Sequence, residues 1–400
     1  MIKIIGENIG PFTKLDLELN RLNLVFGPVG SGKTYLFRIL SLIGTARDFT
    51  GSGLVSENME TQFSRLLLMD EGLKFEAKLG EEFVKALAID ILLKKRSNKG
   101  ELRLIMNNRE IKLLVFKDEK EQKRGIAFKG DLELLDNLIY IHVPQERPHS
   151  ELSTYMNLMA REYAELINRY GDVTPHVLSY KLIYDHGLNP ILSEFITHIA
   201  ASIGHVMSKI RENVYEIKIE GALGRSLNIY WNRIEKRLIF KDPELGIVID
   251  IPSRLRIPLG ALEAGSIKII LDGILQFKSK EKLTPIILVI DEFGEHCDPV
   301  LVQKINDHVF SATFAVDNLY TVIITHNPDI LTRSLKLLER KMEENKDVIN
   351  YVNIHQFMWN PKTRSIEVHT TGLDIKDDYV VPKELIKIFD EAFTYMHTKG

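Results

Sequence analysis

The sequence predicts an α/β fold on a mixed, largely parallel sheet, and three apolar stretches carry that prediction. The run NLVF at 23–26 leads directly into GPVGSGKT at 27–34, behind which Leu36, Phe37, Ile39, Leu40 and Ile43 recur on one helical face. The run IILVI at 286–290 ends in two carboxylates, Asp291 and Glu292, and TVIIT at 321–325 ends in His326. Continuous apolar strands alternating with helices are what a sheet buried on both faces requires.

In chain order, IKII and LDLEL alternate apolar and polar residues ahead of NLVF, as two half-buried strands would. Residues 54–144 are strand-rich, with polar turns at SNKG and NNRE, and close on the apolar strand LIYIHV. Residues 1–150 are therefore expected to form a first lobe. Residues 151–212 change to helical spacing: Met156, Met159, Tyr163, Leu166, Ile167 and Tyr170 fit one amphipathic helix, and Leu192, Phe195, Ile196, Ile199, Ile203, Val206, Met207 and Ile210 another. A helix of roughly 20 residues spans about 30 Å, so this insert is expected to be a compact lid or hairpin and not a coiled-coil arm. Residues 213–400 are expected to form a second, mainly parallel lobe. It contains YEIKIE, SLNIYW, RLIF and GIVIDI, an amphipathic segment LEAGSIKIILDGILQF, the two apolar strands already named, closing strands at NIHQFMW and SIEVHT, and a last helix, PKELIKIFDEAFTYM.

Composition narrows the classes. With 44% hydrophobic and 27% charged residues, the 400-residue chain can bury a large core. A net charge of -3 and a pI near 6.5 argue against a uniformly basic nucleic-acid binder, and KKRSNK at 94–99 is the densest basic run. One cysteine, Cys297, allows no intramolecular disulfide; the N-terminus lacks secretory-signal features and no apolar run reaches membrane-spanning length. A cytosolic protein without a membrane role is expected.

The loop Gly27, Pro28, Val29, Gly30, Ser31, Gly32, Lys33, Thr34 satisfies the P-loop pattern between a strand and a helix, the context in which backbone amides cradle phosphate. Glycines allow close approach of backbone to phosphate. Lys33 would set its charge against the β- and γ-phosphates of ATP, and the Thr34 hydroxyl would ligate Mg2+. In the apolar strand ending in carboxylates, Asp291 would hold the magnesium and Glu292 would act as general base on the attacking water. His326, at the end of another strand, would reach the γ-phosphate side. The consecutive Glu295, His296, Cys297 and Asp298 cannot easily converge on one tetrahedral ion, so no transition-metal site is expected there.

In this order, P-loop, DE-terminated strand and strand-terminal histidine resemble the ABC-type ATPases of the SMC, RecF and OLD-like group. The stretch IKIIGENIGPFTKLDLELNRLNLVFGPVGSGKT is similar to the first lobe of that group throughout, and DEFGEHCDPVLVQKI resembles the DEPE-x-HLHP segment of OLD-like ATPases, His296 and Pro299 matching. The resemblance implies a P-loop NTPase fold of ABC-ATPase type: a two-lobed head interrupted by the small helical insert. The stretch from Lys33 to Asp291 is too long for a simple transporter domain, and residues 327–400 are too few for the nuclease module of OLD proteins. The resemblance further nominates Gln145 of IYIHVPQER as a magnesium and water contact. It places Asp298 in a loop touching the opposite subunit. LEAGSIKII stands at the signature position, where Glu263 replaces the customary serine and Gly265 and Ser266 would bind nucleotide in trans.

The expected activity is ATP hydrolysis with magnesium in a head-to-tail homodimer that acts in DNA repair, maintenance or defence. The alternative is a nucleotide-dependent switch controlling a protein partner bound through the insert. A P-loop kinase is disfavoured because Glu292 beside Asp291 suits water as acceptor.

Overall fold

The computed structural model describes residues 2–37, 39–40, 43, 66–69, 72–76, 93–94, 97–118, 123–131, 134, 138–143, 214–220, 226–232, 237–242, 247–250, 267–268, 270–275, 285–294, 297, 299–376 and 379–382. The helical insert expected at 151–212 and the last helix expected at 382–396 lie outside them, apart from Pro382.

The alternating N-terminal runs are strands β1 (Ile2–Ile9) and β2 (Phe12–Leu19), and the apolar run before the P-loop is β3 (Leu22–Phe26). Strands β1 and β2 belong to a seven-stranded antiparallel sheet with β4 (Leu66–Met69), β5 (Gly72–Glu76), β6 (Lys99–Met106), β7 (Arg109–Asp118) and β8 (Lys123–Gly130), in the order β2-β1-β6-β7-β8-β5-β4. Asn107 and Asn108 turn the β6–β7 hairpin with φ of 51° and 63°. Asparagine tolerates this left-handed conformation, which suits the twist of the paired strands. The expected turn at SNKG is confined to Ser97 and Asn98, because β6 begins at Lys99.

The central sheet is built from β3 together with β9 (Ile139–Val143), β14 (Ile286–Asp291), β15 (Leu319–Thr325), β16 (Val352–Asn360) and β17 (Ser365–Thr371). It runs β17-β16-β3-β15-β14-β9. All neighbours are parallel except β16 and β17. The sheet is buried on both sides. On one, Leu24, Ile141, Leu288, Ile290 and Ile323 pack on helices Pro299–Ala315 and Pro328–Glu344 and on helical residues 267–268 and 270–275. Ile267, Ile270, Leu271 and Ile274 are buried there, as the amphipathic reading of that segment requires. On the other, Val25, Tyr140, Ile287, Val289, Val322 and Ile324 meet Leu36, Phe37, Ile39, Leu40 and Ile43 of the P-loop helix, which the antiparallel sheet covers with Ile4, Leu17, Leu104 and Leu113. This two-sided burial explains why the sheet's strands read as continuous apolar runs.

The mainly parallel second half needs correction. Strands β10 (Val214–Glu220), β11 (Ser226–Asn232), β12 (Arg237–Asp242) and β13 (Ile247–Asp250) form an antiparallel meander. Their links, residues 221–225, 233–236 and 243–246, are hairpin-sized, whereas a parallel neighbour needs a crossover of about a dozen residues or more. The parallel sheet instead draws β3 and β9 from the first 150 residues. A short hairpin, β18 (Leu373–Lys376) with β19 (Tyr379–Pro382), follows β17.

A polar chain inside the sheet fixes the P-loop strand to its neighbours. Asn23 of β3 donates to Asn20 O (2.7 Å) and Thr321 O of β15 (3.1 Å), while its Oδ1 lies 3.2 Å from Nε2 of His355 on β16; His355 Nδ1 lies 2.9 Å from Thr370 Oγ1 of β17. Burial lowers the His355 pKa from 6.5 to about 3, so the folded ring is neutral at neutral pH. In the unfolded chain the same ring takes a proton near pH 6.5. Between these values the unfolded state binds more protons, and stability is lost as pH falls, by up to about 1.4 kcal/mol per pH unit. Urea unfolding measured at pH 7 and pH 5 should show this slope, and His355→Gln should flatten it.

Candidate nucleotide site

Lys33, Thr34, Asp291, Glu292 and His326 come together at the carboxyl ends of three adjacent parallel strands, where ligands of α/β sheets characteristically bind. Chain order does not set this adjacency. Strand β15, later in sequence than β14, lies between it and β3, so the His326 strand separates the P-loop strand from the carboxylate strand.

The loop's shape explains its glycines. A Cβ on Gly27 would stand 2.5 Å from the Phe357 carbonyl oxygen, and one on Gly32, at φ 79°, would stand 2.9 Å from Pro11 Cγ. The loop is thus pressed against the closing hairpin on one side and the β1–β2 turn on the other. Ser31 N donates to Pro28 O at 3.1 Å, and Leu36 N to Gly32 O at 3.0 Å as the helix starts. Lys33, only 5% exposed, folds back and donates to Gly27 O (2.6 Å), Pro28 O (2.8 Å) and Ser31 Oγ (3.3 Å). Burial lowers its pKa, and the nearby Glu292 and Asp291 charges oppose that shift.

Thr34 Oγ1 donates to Asp291 Oδ1 at 2.9 Å, joining the P-loop helix to the end of β14. Asp291 is buried. A hydroxyl and a carboxylate side by side are hard oxygen donors, the kind Mg2+ takes from a protein while phosphate and water fill its other positions. The residues present therefore fit the ion expected from the sequence. Glu292 begins the turn after β14 with a φ of 49°, and Gly294 continues it at 78°. A non-glycine residue in this left-handed region is strained and is held by its surroundings. The turn is pinned by Phe293 N donating to Ile324 O (3.3 Å) and by burial of Phe293. It brings Glu292 Oε1 to 3.7 Å from His326 Nδ1.

No family model matches the chain, and no curated protein matches it. Among solved structures it is similar to the recombination mediator protein RecF of the RecFOR pathway in complex with ATPrS, at 12% identity, over 81% of this chain and 92% of that one, with a TM-score of 0.37. It is also similar to the ATP-binding cassette MJ0796, a dimer in a post-hydrolysis state with ADP and Pi, at 9% identity, over 89% and 94%, with a TM-score of 0.31.

Gln145, Gly265, Ser266 and Asp298 lie outside the described residues, as do Glu295 and His296. The backbone N–H of Cys297 donates to Gly294 O at 3.2 Å. A residue beside the site was read from the sequence only as part of a strand. Tyr140, the second residue of β9, is fully buried, and its hydroxyl donates to Phe37 O of the P-loop helix at 2.5 Å. Burial first, and the Asp291 charge second, push its pKa well above 10, so it remains a neutral donor. An aromatic with a polar tip between two isoleucines of a strand was the signal that could have found it.

Proposed function

We propose that the chain binds ATP with magnesium and hydrolyses it. The observation that carries this reading is the convergence of Lys33 and Thr34, Asp291 and Glu292, and His326 on three neighbouring strand ends. Lys33 would exchange the Gly27 and Pro28 carbonyls for β- and γ-phosphate oxygens, and the loop amides would hold the remaining phosphate oxygens. Thr34 and Asp291 would hold magnesium, which neutralises phosphate charge when bound. Glu292 would take the proton of the attacking water, with His326 on the γ-phosphate side.

The finer reading is a head-to-tail homodimer in which Gly265, Ser266 and Asp298 serve the nucleotide of the other subunit and Gln145 contacts magnesium and water. It rests on the sequence resemblance, as does a DNA-directed role; the alternative remains a protein partner bound through residues 151–212. No helix among the described residues is long and apolar enough to cross a membrane. Phosphate release from ATP by the purified chain, with magnesium and with the metal chelated, tests the activity. Release in neither condition, together with no ATP binding in calorimetry, overturns it. For the DNA role, duplex binding should weaken steeply between 50 and 200 mM salt, on the order of a thousandfold for a site contacting six or more phosphates.

A further inference from the structure

We propose that Trp359, on the closing β16–β17 hairpin, is the stacking platform for the base of the bound nucleotide and takes a purine ring. The inference rests on the nucleotide reading and deepens it.

The orientation of the ligand comes first. On the nucleotide reading, the paired Thr34 and Asp291 and the neighbouring Glu292 and His326 would hold the metal and meet the terminal phosphate on the β14 and β15 side of the P-loop. The other neighbour of β3 is β16. A nucleotide whose terminal phosphate lies toward β14 and β15 has its nucleoside end toward β16.

The form of β16 comes second. Its pairing with β3 stops at Gln356 opposite Phe26, but the strand continues to Asn360 with β17 alone. Residues 357–360 therefore run past the end of β3, beside the P-loop. The contact is direct: the Phe357 carbonyl closes on Gly27, and a Cβ on Gly32 would lie 3.8 Å from Ile366 Cγ1. Ile366 N also donates to Pro11 O at 3.0 Å. Trp359 is the register partner of Ile366, and such partners project from the same face of a hairpin.

Exposure is the third observation. Phe357, two residues earlier on the same face, is fully buried and meets Phe12 edge-on at 6.0 Å, whereas Trp359 is 56% exposed. Val29, at the tip of the P-loop, is 78% exposed. An exposed isopropyl group on the loop and an exposed indole on the hairpin packed against that loop offer apolar surface to a flat ring. The hairpin holds its shape independently of any ligand. Asn360 Nδ2 donates to Glu367 Oε1 (2.6 Å), its Oδ1 accepts from Lys362 N (2.9 Å) and Thr363 N (3.3 Å), and Lys94 Nζ bridges Thr13 Oγ1 and Arg364 O. Stacking on such a surface favours the larger purine ring without requiring one particular base.

The chain has two tryptophans, Trp231 and Trp359. In a Trp231→Phe background, ATP with magnesium should quench the remaining emission, and inorganic tripolyphosphate should not. By calorimetry, Trp359→Ala should weaken ATP binding about five- to hundredfold and leave tripolyphosphate binding unchanged, while Trp359→Phe should recover most of the loss. A Trp359→Ala protein that binds ATP like the wild type overturns the proposal. So does an equal loss for ATP and tripolyphosphate, which would place the effect on the loop and not the base. A wild-type protein that binds neither ligand overturns the nucleotide reading itself, and this proposal with it.

Discussion

Glu292→Gln is expected to slow ATP hydrolysis about a hundred- to ten-thousand-fold while ATP still binds. Removing a positioned base typically raises a barrier by roughly 3 to 5 kcal/mol. Glutamine preserves the length and hydrogen-bonding reach of the side chain but cannot accept the water proton. The backbone adds a requirement. Glu292 sits at φ 49° in the turn after β14, and glutamine meets the same strain there, so the substitution leaves the turn's conformational cost nearly unchanged. Single-turnover phosphate release with a parallel binding titration checks the prediction. Hydrolysis at the wild-type rate would remove the base assignment. The stalled protein should also accumulate as an ATP-bound dimer in light scattering with magnesium; a variant that binds ATP and stays monomeric at high concentration would remove the dimer.

Lys33→Ala is expected to abolish measurable ATP binding. Lys33 is the only cationic side chain within residues 27–34, and its loss removes the charge set against the triphosphate. It also removes the tie between the helix start and the Gly27 and Pro28 carbonyls, so the loop itself loses its fastening. Two readouts separate these effects. Calorimetry should show no binding at millimolar ATP, and Lys33→Arg should retain the loop contacts and fold while binding ATP poorly, because the broader guanidinium does not fit a pocket shaped for a compact ammonium. Unchanged affinity in Lys33→Ala would remove the P-loop assignment.

The strands that carry the site were legible because both of their faces are buried and each ends on a residue that breaks the apolar run: Gly27, Asp291, His326. Their neighbours were not. Periodicity shows how many faces of a strand are buried, but it does not show which strand lies alongside. The insertion of β15 between β3 and β14 depends on contacts made across nearly 300 residues. For the same reason the meander β10–β13 passed as part of a parallel lobe: its strands have ordinary apolar alternation, and only the shortness of their links marked them as antiparallel. Asn23 and His355 were missed because polar residues inside apolar runs look like exposed positions until a partner strand supplies the other half of the hydrogen bond. Trp359 was read simply as part of a closing strand. Its exposure follows from β16 outrunning β3, an offset that the sequence of either strand alone does not contain.

The central position of β3 has a consequence for biosynthesis. Both strands that flank it, β15 and β16, lie near the far end of the chain. When residues 27–34 leave the ribosome, the strand that presents them has no neighbour to pair with, and it gains none until residue 319 and beyond have been made. At about 5–20 residues per second, the phosphate loop waits on the order of 15 to 60 seconds as an apolar segment with both edges open. Nucleotide cannot act as a folding template during that interval, because no cradle exists to receive it. A truncated chain ending before β15 would carry every P-loop residue and still be unable to assemble the loop, leaving NLVF as an open edge for aggregation or for a chaperone to shield.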